Sequence, residues 1–251
     1  MSRKTRTAVV TGAARGIGLA AARQLIEVGC QVALVDRDAQ ALALALDRLP
    51  ASQALGVEAD LAAPGGVESV QLQVAQRWAN VDILVNNAAI SPKHAGMAAG
   101  LLTVSLDEWQ QVLHVNLTSA MLLAQRFVPG MCARRWGRIV NVSSRAGRSN
   151  TGSAGPAYAT SKAALLGLTR SIATEFAPFN ITANSVAPGI VETELFQTIA
   201  PELLQQLRQR APLGRSAQPR EIGAVIAFLA SEDAGFITGT CLDVNGGAFM
   251  C

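Results

Sequence analysis

Seven short runs dense in Val, Ile, Leu and Ala punctuate the chain, at residues 7–11, 31–36, 54–59, 82–86, 138–142, 182–187 and 241–244. Their near-continuous apolarity predicts strands covered on both faces. Between them lie longer stretches with apolar positions at helical spacing, at 15–28, 38–49, 67–78, 106–135, 157–176 and 219–231. Strand and helix alternate from end to end. That order predicts an α/β fold, a doubly wound parallel sheet of about seven strands with helices on both faces. Ligands of such sheets bind beyond the carboxyl ends of the strands. The chemically informative residues fall there: Gly12 to Gly18, Asp36, Asp60, Asn86 to Ala89, Ser143 and Ser144, and Pro188 to Thr193 each follow a predicted strand.

Composition narrows the picture. Half of the 251 residues are apolar, enough for a sizeable core, and no Pro/Ser-rich or charged linker divides them, so a single domain over 1–251 is expected, with a basic tail at 1–6. A net charge of +3 with 4% aromatic residues offers no basic stripe with stacking platforms, which argues against nucleic acid. No apolar run has the length of a membrane span, and no signal region follows the basic start. Cys30, Cys132, Cys241 and Cys251 show no Cys-x-x-Cys spacing, so no metal site and a reducing, cytoplasmic compartment are expected.

The first predicted strand runs into Thr11-Gly12-Ala13-Ala14-Arg15-Gly16-Ile17-Gly18, which opens a helix. Glycines there let backbone amides approach a pyrophosphate at the helix N-terminus. The spacing departs from Gly-x-Gly-x-x-Gly, and a plain tight turn would look the same. Asp36 ends the second strand, where an acid binds adenosine ribose hydroxyls. The alternative is an N-cap for the helix near residue 38. A carboxylate at that place also repels a 2′-phosphate, which favours NAD over NADP, while Arg15 and Arg37 are positioned to counter the repulsion.

Tyr158 is the only tyrosine, and Lys162 stands one helical turn after it. A fixed cation within about 4–6 Å favours phenolate and brings a phenol towards useful acid-base range. Pro156 fits the first turn of the helix and sets Tyr158 near its N-terminus, where an anion is favoured. Taken alone, the spacing fits a half-buried tyrosine beside a surface lysine equally well.

In this order the motifs resemble the classical short-chain dehydrogenase/reductase family over residues 7–247. The glycine loop has that family's spacing. Asn86-Asn87-Ala88-Ala89 is similar to its Asn-Asn-Ala-Gly turn, with Ala89 in place of the last glycine. Asn116 and the pair Ser143-Ser144 resemble further family positions, and so do Pro188 to Thr193, Ile237-Thr238-Gly239 and Asn245-Gly246-Gly247. The resemblance implies a Rossmann-type fold, an NAD(P)-dependent oxidoreductase and a catalytic set of Asn116, Ser144, Tyr158 and Lys162. In that set Tyr158 moves the proton, Lys162 lowers its pKa and holds the nicotinamide ribose, Ser144 holds the substrate oxygen, and Asn116 holds a water beside Lys162. It implies a cofactor site of Gly12, Arg15, Gly16, Ile17, Gly18, Asp36, Arg37, Asp60, Leu61, Asn87, Ala88, Ala89, Tyr158, Lys162, Pro188, Gly189, Ile190 and Thr193, with Ser143 turned onto the cofactor.

For the substrate, Lys93, His94, Arg145 and Arg148 flank the expected centre together with Ser144 and Glu194, and residues 194–215 are expected to form a lid. Four cationic or hydrogen-bonding groups suit an anion or a string of hydroxyls. The expectation is an NAD-dependent dehydrogenase of a small sugar, sugar acid or polyol. The alternative is an NADPH-dependent 3-oxoacyl-[acyl-carrier-protein] reductase, for which Arg134 and Arg135 would meet an acidic carrier and Thr174 stands where a second docking arginine is common. A third reading, a non-catalytic nucleotide sensor, fits poorly with an intact Tyr158 and Lys162. Leu113, Leu117, Met121, Leu122 and Phe127, and Ala163, Ala164, Gly167 and Leu168, give two helices more apolar surface than one sheet contact uses. Similar enzymes pair these helices across a dyad and use the last strand as a second interface, which implies a homotetramer.

Overall fold

A computed structural model of the chain describes residues 5–149, 154–193 and 208–250. The strands are β1 Thr7–Thr11, β2 Gln31–Asp36, β3 Ala54–Glu58, β4 Ile83–Asn86, β5 Gly137–Val142, β6 Ile181–Pro188 and β7 Cys241–Val244. All pair in parallel, in the order β3-β2-β1-β4-β5-β6-β7. This is the Rossmann-type architecture that the alternation predicts. The helices are α1 Gly16–Glu27, α2 Ala39–Leu46, α3 Gly66–Arg77, α4 Leu106–Leu113, α5 Ser119–Arg134, α6 Pro156–Phe176 and α7 Pro219–Leu229.

Side chains of a strand alternate between faces, so a strand buried on both sides feeds two cores. β1 shows this residue by residue. Ala8 and Val10 join Val32, Leu34, Leu25 and Ile222 on the α1–α7 side. Val9 joins Ala33, Val35, Val70 and Leu123 on the α3–α5 side. Both layers are therefore dictated by the same apolar runs, and a single polar substitution within a run would cost one core while sparing the other.

One element departs from the pattern. The long helix expected over 106–135 is split by a π-turn, His114–Thr118, between α4 and α5. Its extra residue per turn rotates Asn116 into the interior, where it is 2% exposed. The strand order reverses between β1 and β4, and the crevice beyond their carboxyl ends is the place where such folds bind ligands.

Candidate functional site

The crevice is zipped by side chain to backbone contacts. Thr11, buried at the end of β1, accepts through Oγ1 from the backbone N–H groups of Asn87 (3.0 Å) and Ala88 (3.0 Å). Asn87 Nδ2 donates back to the carbonyls of Thr11 (2.8 Å) and Gly12 (3.0 Å). Gly12 sits at φ +63°, and a methyl group on it would lie 2.9 Å from Asn87 Nδ2; at Gly18 a methyl would collide with the Gly12 carbonyl. Only glycine permits this closeness at both positions. The first turn of α1 has no side-chain cap, which leaves its amides for a phosphate. Thr193 lies over Gly16, whose added Cβ would come 3.2 Å from Thr193 Cγ2, so the segment after β6 reaches the glycine loop. That segment is pinned by Gly189 N–H to the Val244 carbonyl (3.0 Å) and by Ala217 N–H to the Ile190 carbonyl (2.8 Å). An uncapped helix start facing a crevice walled by glycine fits a dinucleotide.

At the adenosine end, Asp36 accepts from Ala14 N–H (3.0 Å) and Asp38 N–H (3.1 Å), leaving further lone pairs on the carboxylate. It is not the helix cap. Asp38 caps α2, accepting from Ala41 N–H, and it also binds Arg15 in an ion pair. Arg37 is exposed. Asp60, exposed, accepts from Ala62 N–H (2.9 Å) beside the buried Leu61, and Ala89 is exposed just past Ala88.

At the other end, α6 starts at Pro156, and Tyr158 lies in its first turn. The Ser144 hydroxyl hydrogen-bonds the Tyr158 phenol and also accepts from Ala146 N–H (3.1 Å), so it is both a loop cap and a partner of the phenol. Lys162 Nζ is 5.8 Å from the Tyr158 ring centre and donates to the Val142 carbonyl (2.7 Å). Burial pushes the phenol above its ordinary pKa against the lowering effect of Ser144, and pulls the ammonium down to about 7. The Ser143 hydroxyl donates to the Lys162 carbonyl (2.7 Å) and fastens α6 to β5. Asn116 spends its side chain on the loop after β4, accepting from Ile90 N–H (2.8 Å) and donating to the Ile90 carbonyl (3.0 Å) and Ser161 Oγ (3.0 Å).

Several of the expected substrate groups are engaged with other partners. A cavity beside Tyr158 is lined by none of Lys93, His94, Arg145 and Arg148. His94 Nε2 pairs with Glu108 (2.6 Å), Lys93 is exposed, and Arg148 bonds Asp243 (3.1 Å) and stacks on Phe249. Arg145 faces Arg210, and burial, then that like charge, lowers its pKa. Arg134 is engaged by Asp82, Asn80 and the Val81 carbonyl, and Arg135 by the Pro178 carbonyl. Glu194 and the expected lid as far as residue 207 lie outside the described residues. Sequence reasoning passed over Thr11, Ser161 and Glu108. Ser161 lies three residues after Tyr158 on the same face of α6 and donates to the Tyr158 carbonyl (2.7 Å), a spacing that carried its signal.

The model of the family described as Enoyl-(Acyl carrier protein) reductase matches residues 12–248. The 3-oxoacyl-[acyl-carrier-protein] reductase FabG of Aquifex aeolicus (strain VF5) is 39% identical over 97% of this chain and 97% of its own length. That of Vibrio cholerae is 38% identical over 100% of both. A 3-oxoacyl-[acyl-carrier protein] reductase from Brucella melitensis, solved with bound NAD, has a TM-score of 0.92 at 34% identity, covering 100% of this chain and 93% of that one. These relatives overturn the expectation of a sugar, sugar-acid or polyol dehydrogenase. The chain is a member of the classical short-chain dehydrogenase/reductase family, an NAD(P)-dependent oxidoreductase acting between a CH–OH group and its ketone.

Proposed function

We propose that the protein is a 3-oxoacyl-[acyl-carrier-protein] reductase that works with NADH. The observation that carries this reading is the full-length likeness to reductases so named, at 38–39% identity. When bound, the nicotinamide cofactor supplies the hydride that reduces the 3-oxo carbon. Tyr158 donates its phenolic proton to the 3-oxo oxygen, for which a phenol kept protonated by burial is suited. Ser144 holds that oxygen and stabilises its developing charge. Lys162, buried one turn further along α6, favours the phenolate left behind until solvent returns the proton. Asn116 acts on the loop at Ile90, which it ties to α6 through Ser161.

The cofactor preference rests on Asp36, whose carboxylate sits against the glycine loop, and on Arg15, whose charge Asp38 offsets. A 2′-phosphate placed there would meet a carboxylate without an uncommitted Arg15 to compensate it. The remaining features of the reading are a single catalytic domain, a cytoplasmic location and a homotetramer. No helix among the described residues is long and apolar enough to cross a membrane. Leu113, Leu117, Met121 and Leu122 are part-exposed, whereas Phe127 is core at 7% exposure.

The test is reduction of acetoacetyl-[acyl-carrier-protein], followed as loss of reduced-cofactor absorbance, with NADH and NADPH in turn. Turnover with a higher kcat/KM for NADH is expected, and Asp36→Ser should shift the ratio towards NADPH by about tenfold, the effect of roughly one lost charge repulsion. Absence of turnover with either cofactor refutes the activity, and a wild-type preference for NADPH refutes the role of Asp36.

A further inference from the structure

Arg148 ends the short turn Arg145–Gly147 that follows Ser144, and its guanidinium points away from α6 towards the end of the chain. It bonds Asp243 of β7 (3.1 Å) and lies 5.1 Å from the centre of the Phe249 ring. The two charged side chains are only 21% and 18% exposed, so water and salt screen the pair less than one on the open surface. The stack on the ring is a further contact, made by a planar cation that keeps its charge at any working pH.

Ser144 belongs to the same turn. Its hydroxyl, which meets the Tyr158 phenol, accepts from Ala146 N–H (3.1 Å), and its carbonyl accepts from Gly147 N–H (2.9 Å). Whatever fixes residues 145–148 therefore fixes the direction of that hydroxyl. On its inner side the turn is pressed against α6, where a Cβ on Gly147 would lie 2.6 Å from the Lys162 carbonyl carbon and 2.8 Å from Ala163 N. Contact of that kind stops the turn from moving inward but does nothing to stop it from lifting away. The grip of Arg148 on β7 acts in the missing direction.

The far end of the grip is built to stay in place. Asp243 stands in the sheet opposite Ala187 of β6. Two residues later the chain hooks back: Asn245 Oδ1 accepts from Gly247 N–H (3.0 Å) and Asn245 Nδ2 donates to the Phe249 carbonyl (3.0 Å), which sets the ring on Arg148. The start of the hook also packs on Gly189, whose added Cβ would lie 2.8 Å from Asn245 Cα, and Gly189 N–H donates to the Val244 carbonyl (3.0 Å). The turn that carries Ser144 and the segment after β6 thus take their positions from one strand end.

Resting on the role given to Ser144 above, we propose that Arg148 is a positioning residue: by gripping Asp243 and Phe249 it holds the Ser144 hydroxyl on the Tyr158 phenol. It touches neither substrate nor cofactor, and acts through Ser144.

The test uses the full-length protein as wild type, Arg148→Met and Asp243→Asn, each also combined with Ser144→Ala, and measures kcat and KM with acetoacetyl-[acyl-carrier-protein]. Arg148→Met should lower kcat about tenfold, a part of what loss of one oxyanion donor costs, with KM for the reduced cofactor unchanged. Asp243→Asn keeps the shape and loses the charge; it should lower kcat about threefold, so the test stands even if Arg148→Met is insoluble. Once Ser144 is alanine, neither change should cost anything more, because a residue that acts through Ser144 has nothing left to position. Arg148→Lys, which keeps the charge, should recover part of the loss. Unchanged kcat in both single variants, or the same loss with and without Ser144, overturns the positioning role and leaves the reductase standing. A wild type that reduces no acetoacetyl group overturns the reductase reading, and hydrogen exchange of the Ala146 and Gly147 amides then decides the positioning role: quickened in both variants it stands, unchanged it falls.

Discussion

Tyr158 and Lys162 are driven in opposite directions by the same burial, the phenol up and the ammonium down to about 7. Each drifts towards its neutral form because neither has an ionised partner within its hydrogen-bonding shell: the phenol meets the Ser144 hydroxyl and the ammonium meets the Val142 carbonyl. The lysine shift has a thermodynamic consequence. Its ordinary value is 10.5, so between pH 7 and 10.5 the unfolded chain holds a proton that the folded one has released. Folding stability therefore rises with pH through that window, and the cost of burying the charge is fully present below it. Lys162→Met removes the titration. The stability of wild type relative to Lys162→Met, from urea unfolding at fixed protein concentration, should improve between pH 7 and 9 by at most about 1.4 kcal/mol per pH unit. A difference that stays flat with pH would show that Lys162 keeps its ordinary value. The glycine loop, Asp36, Tyr158 and Lys162 were legible in the sequence because their signals are local spacings. Arg148 and His94 were not: their partners, Asp243 and Glu108, lie 95 and 14 residues away, and only the fold decides that the cations turn to them.

At the scale of elements the strands declare themselves because apolarity on both faces leaves them no other place. Helix ends and one helix interior do not. Leu106 to Arg134 reads as one helix, yet it breaks into α4, a π-turn and α5 around Asn116. The bond that decides this joins Asn116 to Ile90, 26 residues earlier, and no local pattern encodes it. The π-turn exchanges regular helix for a side chain that satisfies both backbone groups of Ile90 and reaches α6 through Ser161. Asn116→Ala would leave those groups without a partner in a part-buried loop, at a cost of about 1–3 kcal/mol. Hydrogen exchange of the Ile90 amide should accelerate, while the amides of β4, held by both neighbouring strands, keep their protection. Equal protection of Ile90 in variant and wild type would mean that the loop is held by something other than Asn116.

Among the described residues the molecule presents two faces of apolar or small side chains that the sheet does not cover, one on α6, which packs on β6, and one at β7, the next strand. On α6 the strip Ala163, Ala164 and Gly167 is open, with nothing within 4 Å of the place where a side chain on Gly167 would begin. At the other face β7 is an edge strand, with Leu242 40%, Phe228 45% and Phe236 fully exposed around it. A small-residue strip lets a second helix approach closely, and an uncovered edge with aromatic neighbours is a liability unless another surface seals it. If each face closes its own dyad, two dyads give a tetramer, and either can be broken without the other. Gly167→Arg sets a long charged side chain into the strip at a position where the monomer has room for it, so folding should survive. Light scattering behind size-exclusion chromatography should then read half the wild-type mass, a dimer held through the β7 face. Phe236→Asp should leave the complementary dimer held through α6, and the double variant a monomer. A wild-type monomer would remove the tetramer outright, and an unchanged mass in Gly167→Arg would remove α6 from the interface.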